Sequence, residues 1–182
     1  DGEHGIEISI GGHGSRVTIN SYMAAEAATL SKMAHWKNDN QAQALATEAC
    51  RIKENMFKYL WDPKAEFLKV LSVEKIASLK DVRELHGYTP WAFDLASADY
   101  AVAWKFLMNT RHFFSSYWPK TAEQCHPQFK VAYEGHECQW NGPSWPYATS
   151  MTLVGLANLL NTQTQTFVDM HEACIRKTRM AY

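Results

Sequence analysis

The sequence has no excess of either charge: 18 Lys and Arg stand against 19 Asp and Glu, a formal net of -1. That balance offers no electrostatic hold on nucleic acid or on an acidic membrane, and neither is expected as a partner. Glycine and proline are scarce, nine and six in 182 residues. Together they fall below the usual share of roughly 12%, which disfavours a turn-dense β-sandwich and favours long helices. Cysteine is sparse as well. Cys50, Cys125, Cys138 and Cys174 stand singly with no Cys-x-x-Cys pair, so neither a disulfide scaffold nor a zinc ribbon is suggested. No apolar run is long enough to span a bilayer, and neither a signal-peptide pattern nor an initiating Met is present. The chain is therefore expected to be soluble as given and to lack its native start. No repeat, low-complexity tract or flexible linker divides it, so residues 1–182 are read as one domain or part of one.

What is abundant is aromatic: seven Trp, eight Tyr and eight Phe, which can fill a core or line a groove. The opening residues to Arg16 read as a glycine-rich loop, with Ile6-Glu7-Ile8-Ser9-Ile10 alternating like a short strand. Asn20 or Ser21 can cap a first helix ending near Trp36, and Asp39 or Asn40 a second, stopped by Trp61-Asp62-Pro63. So short a link makes the two an αα-hairpin. Phe67 to Val73 reads as a strand, with Asp81 to Gly87 as the partner of an irregular hairpin. Further helices are expected from Leu95 to Met108, after Pro143 as a first-turn proline, and from Gln165 to Arg179. The expected fold is all-α, built of αα-hairpins with a small β excursion.

The densest constellation runs from Glu134 to Tyr147, where Trp140, Asn141 and Trp145 share one loop with Gln139, Glu134 and Glu137. A sugar presents a C–H face that lies on an indole and a rim of hydroxyls that needs amide, carboxylate or guanidinium partners. The alternative is that the two Trp side chains fill core beneath the loop. A second aromatic loop, Arg83 to Trp91, offers Tyr88 and Trp91, with plugging of a gap between helices as the equal alternative. Asp1, Glu3, Glu7, His13 and Arg16 stand in the glycine-rich opening, where the backbone can approach a ligand closely; mere solvation is the competing reading. Gly11-Gly12-His13-Gly14 lacks the Lys-Ser/Thr of a phosphate loop. Cys125-His126 with His136-x-Cys138 has soft ligands but not the spacing of a zinc finger.

Cys138-Gln139-Trp140-Asn141-Gly142-Pro143-Ser144-Trp145-Pro146-Tyr147 resembles the Trp-x-Gly-Pro-x-Trp-Pro segment of glycoside hydrolases with an (α/α)6 toroid. It is most similar to the mannosylglycerate-hydrolase-like domains related to glycoside hydrolase family 63. Thr18 to Met23, Leu60-Trp61-Asp62, Glu84 to Phe93, and Thr121-Ala122-Glu123 with His126-Pro127 follow the same order. The resemblance implies an incomplete (α/α)6 toroid, a little under half of the barrel, with residues 1–182 forming part of one catalytic domain. It also implies inverting hydrolysis of an α-glycosidic bond by two carboxylates standing about 6.5–9.5 Å apart. The acid falls on Asp1, with Glu7 as substitute, and the family's general base belongs to a loop later than Tyr182.

Arg16, Asn20, Tyr88, Trp91, Glu134, Trp140, Asn141 and Trp145 are the implied substrate contacts. No metal or cofactor is needed for such chemistry. A carbohydrate is the expected partner, together with self-association or the remainder of the toroid to cover apolar helix faces. The alternative functions are a carbohydrate-binding or degenerate non-catalytic helical domain, and a helical scaffold for protein.

Overall fold

The computed structural model describes residues 8–73, 78–133, 135 and 137–162. Helix α1 spans Val17–Trp36 and α2 spans Ala42–Leu60, and the two pack as the expected αα-hairpin. α1 begins earlier than the capping residues suggest. Asn20 turns its side-chain amide back onto the Arg16 carbonyl at 2.6 Å, so it serves the first turn from within while extended Arg16 takes the cap position. The helix ends where Asn38 adopts a left-handed φ of 53°, a conformation Asn tolerates. Asp39 then accepts the Gln41 N–H at 2.9 Å and turns the chain into α2.

The β excursion exists, but its partners differ from those expected. β2 (Trp61–Asp62) pairs with β3 (Phe67–Leu68), and β1 (Gly14–Ser15) pairs with β4 (Leu71–Ser72), both antiparallel. The Asp62 carboxylate accepts the N–H groups of Lys64 and Ala65, closing the turn after α2 and bringing Phe67 opposite Asp62 and Leu68 opposite Trp61. Asp81 to Gly87 is thereby left to other work: Glu84 bridges Ala122, and Leu85 to Tyr88 coil into a 3-10 turn. β1 comes so close to β4 that a Cβ on Gly14 would lie 2.2 Å from the Leu71 carbonyl oxygen.

The helix expected at Leu95–Met108 is a 3-10 helix over Ala98–Phe106. The Ala103 carbonyl, which an α-helix would give to Leu107, accepts the Tyr88 hydroxyl instead, and the Leu107 N–H bonds three residues back to Trp104. α3 (Thr89–Ala92) and α4 (Pro146–Thr162) cross closely, Gly155 facing Trp91 and Ala92. Asn158 donates to the carbonyls of Trp91 and Ala92 and so satisfies the end of α3. Pro146, not Pro143, opens α4. The helix expected over Gln165 to Arg179 lies outside the described residues.

The core is centred on aromatic rings. Tyr88 is fully buried, with Trp104 at 4.4 Å, Phe67 at 5.1 Å and Phe113 at 5.7 Å between ring centroids, and Trp91 packs at its side. Edge-to-face contacts of this kind hold much of the interior together.

Candidate functional site

Two features meet beside the N-terminus of α1. The first is a buried charge cluster. Glu84 Oε1 accepts the Gly11 N–H at 3.0 Å, and Oε2 receives Arg16 Nη1 at 3.2 Å and His86 Nε2 at 2.8 Å. Arg16 also donates to Ser9 Oγ at 2.7 Å and to the Gly12 carbonyl. Burial pushes the Glu84 carboxyl upward, yet the His86 bond, the His86 and Arg16 charges and the Gly11 N–H outweigh it and hold it below the ordinary carboxyl range. Glu84 therefore stays ionised and orients its neighbours rather than donating a proton. A carboxylate can only accept, so the His86 proton sits on Nε2. The other ring nitrogen, Nδ1, is buried without a partner among the described residues.

The second feature is a cavity of about 110 Å³, walled by Thr18, Ile19, Leu85, His86, Trp140 and Met151 among others. Tyr22 and Tyr147, hydrogen bonded to each other at 2.9 Å on the exposed side, also line it. Burial, then the bond with Tyr147, raises the Tyr22 phenol far above its ordinary value, so it remains a neutral hydroxyl. The Trp140 indole N–H is a second buried group with no partner among the described residues. A largely apolar cavity lined by an indole and an imidazole, each with a buried nitrogen unpartnered among the described residues, has the chemistry of a sugar pocket.

The loop before α4 is held firmly. Thr121 Oγ1 accepts the Gly142 N–H at 3.2 Å and donates to the Pro143 carbonyl at 2.8 Å. Trp145 donates to the Gln139 carbonyl and stacks on Trp140 at 5.2 Å with rings only 5° from parallel. Trp140 thus lines the cavity, while Trp145 lines a separate groove with Tyr133, Glu137 and Gln139. Ile8 donates to the Cys138 carbonyl and accepts the Trp140 N–H, so the opening segment joins the structure at this loop.

The sequence candidates are scattered around this centre. Arg16 stands behind it, its Nη1 3.1 Å from His86 Nε2, and both nitrogens donate to Glu84 Oε2. Trp140 forms its wall. Asn141 is buried beside it, its carbonyl on Lys130 N–H and its Oδ1 unpartnered among the described residues. Asn20 lines a different cleft, with Asn55 and Tyr59. Tyr88 and Trp91 lie in the core and do not line the cavity, which is the plugging alternative. Asp1, Glu7 and Glu134 lie outside the described residues, as does His136 of the cysteine and histidine set. Glu84, His86, Thr18 and Tyr22 were not among the candidates; Glu84 and His86 meet Arg16 only across 68 and 70 residues of chain, a pairing no local spacing encodes.

A family model described as the mannosylglycerate hydrolase MGH1-like glycoside hydrolase domain matches residues 2–181. Among solved structures, a chain called a sialidase is 36% identical with a TM-score of 0.83, covering 91% of this chain and 16% of its own. The GH63 mannosylglycerate hydrolase from Thermus thermophilus, solved in complex with glucose, is 16% identical with a TM-score of 0.61, covering 78% of this chain and 34% of its own. An uncharacterized conserved protein from the same organism gives 16%, 0.63, 78% and 33% for these quantities. A search of curated proteins finds no match. The chain therefore spans about a sixth of the first relative and about a third of the other two. The shared fold is the all-α hairpin toroid, of which these hairpins form part.

Proposed function

We propose a function from one premise: the chain belongs to the mannosylglycerate hydrolase MGH1-like glycoside hydrolase domain family. A glycosidase domain is the general reading that follows. The finer one is hydrolysis of an α-glycosidic bond in a small glycoside or oligosaccharide, by an inverting mechanism. One carboxyl protonates the leaving oxygen while a second activates water on the opposite face. The observation that carries it is the cavity against Trp140, with His86 Nδ1 and the Trp140 indole N–H both buried and unpaired among the described residues. Such groups are costly unless a partner meets them, and the hydroxyls of a hexose can both donate and accept. The Thermus hydrolase was solved in complex with glucose, which supports a hexose as the ligand class. In this reading Asp1 or Glu7 supplies the acid, and the glycine-rich segment carrying them leads into Ile8, which is bonded to the Trp140 loop.

The alternative of sugar binding without turnover has its own support: no carboxylate lines the cavity among the described residues. One experiment separates the two. The protein is offered glucosylglycerate, mannosylglycerate and α-linked disaccharides, and the first-formed anomer is read by NMR. Release of the β-anomer is expected, with Asp1→Asn or Glu7→Gln lowering kcat by about 10²–10⁴. Early α-anomer would overturn inversion; affinity without release would favour the binding domain; neither affinity nor release removes the sugar reading.

We further propose that the apolar outer face of α1 is a packing face, covered by further hairpins of the toroid.

A further inference from the structure

We propose that His112, Glu123 and Cys125 form a binding site for one divalent cation of borderline softness, best matched by zinc. The ligand atoms Nδ1, a carboxylate oxygen and Sγ lie within 4.8 Å of one another. His112 Nδ1 is 2.9 Å and Cys125 Sγ 3.7 Å from the same Glu123 Oε2. A tetrahedral ion with bonds of about 2.0–2.3 Å separates its ligand atoms by roughly 3.3–3.8 Å. Side-chain adjustments of about an ångström therefore admit the ion, and one nitrogen, one sulfur and one oxygen make a donor set suited to zinc.

The frame around these atoms is already fixed. Gln124 N–H bonds the His112 carbonyl at 3.0 Å, and Cys125 N–H bonds the Arg111 carbonyl at 2.7 Å, tying the two ligand-bearing segments together. Glu123 Oε1 is anchored by the Arg83 backbone N–H at 2.8 Å, which leaves Oε2 as the oxygen shared with His112 and Cys125. The His112 ring is steadied edge-on against Phe106 at 4.8 Å.

Arg83 Nη1 also reaches Oε2, at 2.9 Å, and is the competitor the ion must meet. Its guanidinium keeps two bonds to the Ala65 carbonyl and a place over the Phe106 ring, so it need not leave with that contact. Cys125 is exposed, which opens the fourth position to water. On binding, the thiol proton passes to solvent and the neutral imidazole carries its proton on Nε2. The ion would clip residues 111–112 to 123–125, next to Thr121, which holds the Trp140–Trp145 loop.

The test is metal titration of the chelator-stripped protein, with Zn²⁺ against a chromogenic indicator and Co²⁺ followed by absorbance. One equivalent of Zn²⁺, a thiolate-to-cobalt charge-transfer band and a higher Tm with Zn²⁺ are expected. Cys125→Ser, an exposed change checked for unaltered circular dichroism, should lose the band and weaken Zn²⁺ binding at least about tenfold. His112→Gln should weaken it similarly, whereas Cys50→Ser should leave it unchanged. Absence of Zn²⁺ binding, or a Cys125→Ser protein that keeps the band or loses less than tenfold in affinity, overturns the proposal.

Discussion

At the residue scale the decisive group is Glu84. It is buried with Arg16 and His86, all three within hydrogen-bond distance, and its second oxygen is satisfied by a backbone N–H. Such a set gains little over apolar packing while complete, but losing one member strands the others without water. Glu84→Gln should thus destabilise the fold by about 3–5 kcal/mol at pH 7, read by urea unfolding, because Arg16 keeps its charge and loses its counter-ion. The pH dependence has a definite sign. A carboxyl held below its ordinary value of 4.5 stabilises the fold above that pH, and the contribution is lost as the pH falls through the folded value. Glu123 and Asp62 are lowered too, Glu123 against its own burial by Arg83, and Asp62 against its burial by the Ala65 N–H and Lys69. Stability should therefore fall steeply below pH 4.5, and Glu84→Gln should flatten that fall. A variant as stable as the parent at pH 7, with an unchanged acid limb, would show that the cluster carries no such linkage.

At the element scale the loop before α4 shows why its glycine is where it is. A Cβ on Gly142 would stand 2.1 Å from the Lys130 carbonyl oxygen, and Lys130 is itself held by the Asn141 carbonyl. Gly142→Ala should push the two strands of backbone apart, cost about 1–3 kcal/mol and misplace Trp140. Thermal unfolding checks the first effect, and sugar affinity the second. An alanine variant with parental Tm would mean the loop yields more easily than these contacts imply. The glycine and the two Trp of this loop were legible in the sequence because their order is local. So were α1 and α2 as elements, because their helical spacing and the Trp61-Asp62-Pro63 stop are local, although α1 starts earlier than its expected cap. The 3-10 helix over Ala98–Phe106 was not, since the Tyr88 hydroxyl that takes the Ala103 carbonyl comes from another element. The same is true of the strand partners, which depend on the turn closed by Asp62, and of His86, whose role follows from a buried partner 70 residues away.

At the scale of the whole molecule, α1 is packed inside out. It buries small residues, Ser21, Ala24 and Ala27, with α2 its main neighbour, and it exposes large ones, Met23, Leu30, Met33 and Trp36. Small residues let the two helix axes approach closely, and the large side chains are then left on the outer surface, where Trp36 is 77% exposed. Several large apolar side chains exposed along one helix mark a candidate contact surface. In a toroid each hairpin has neighbours on both sides, and the chain spans only a third of the Thermus proteins that share its fold. Further hairpins are thus the occupant proposed for this face. The 182-residue chain alone should bury the same face by self-association, seen in sedimentation velocity as concentration-dependent species larger than 20.8 kDa. Leu30→Glu combined with Met33→Glu should abolish those species. Because Leu30 is 43% and Met33 47% exposed within the single chain, the pair should change its intrinsic stability by no more than about 0.5 kcal/mol per site. A parent chain that stays monomeric at every concentration, with glutamates that change nothing, would make the face an ordinary surface; a large loss of stability in the variant would mean that these side chains are already packed within one chain.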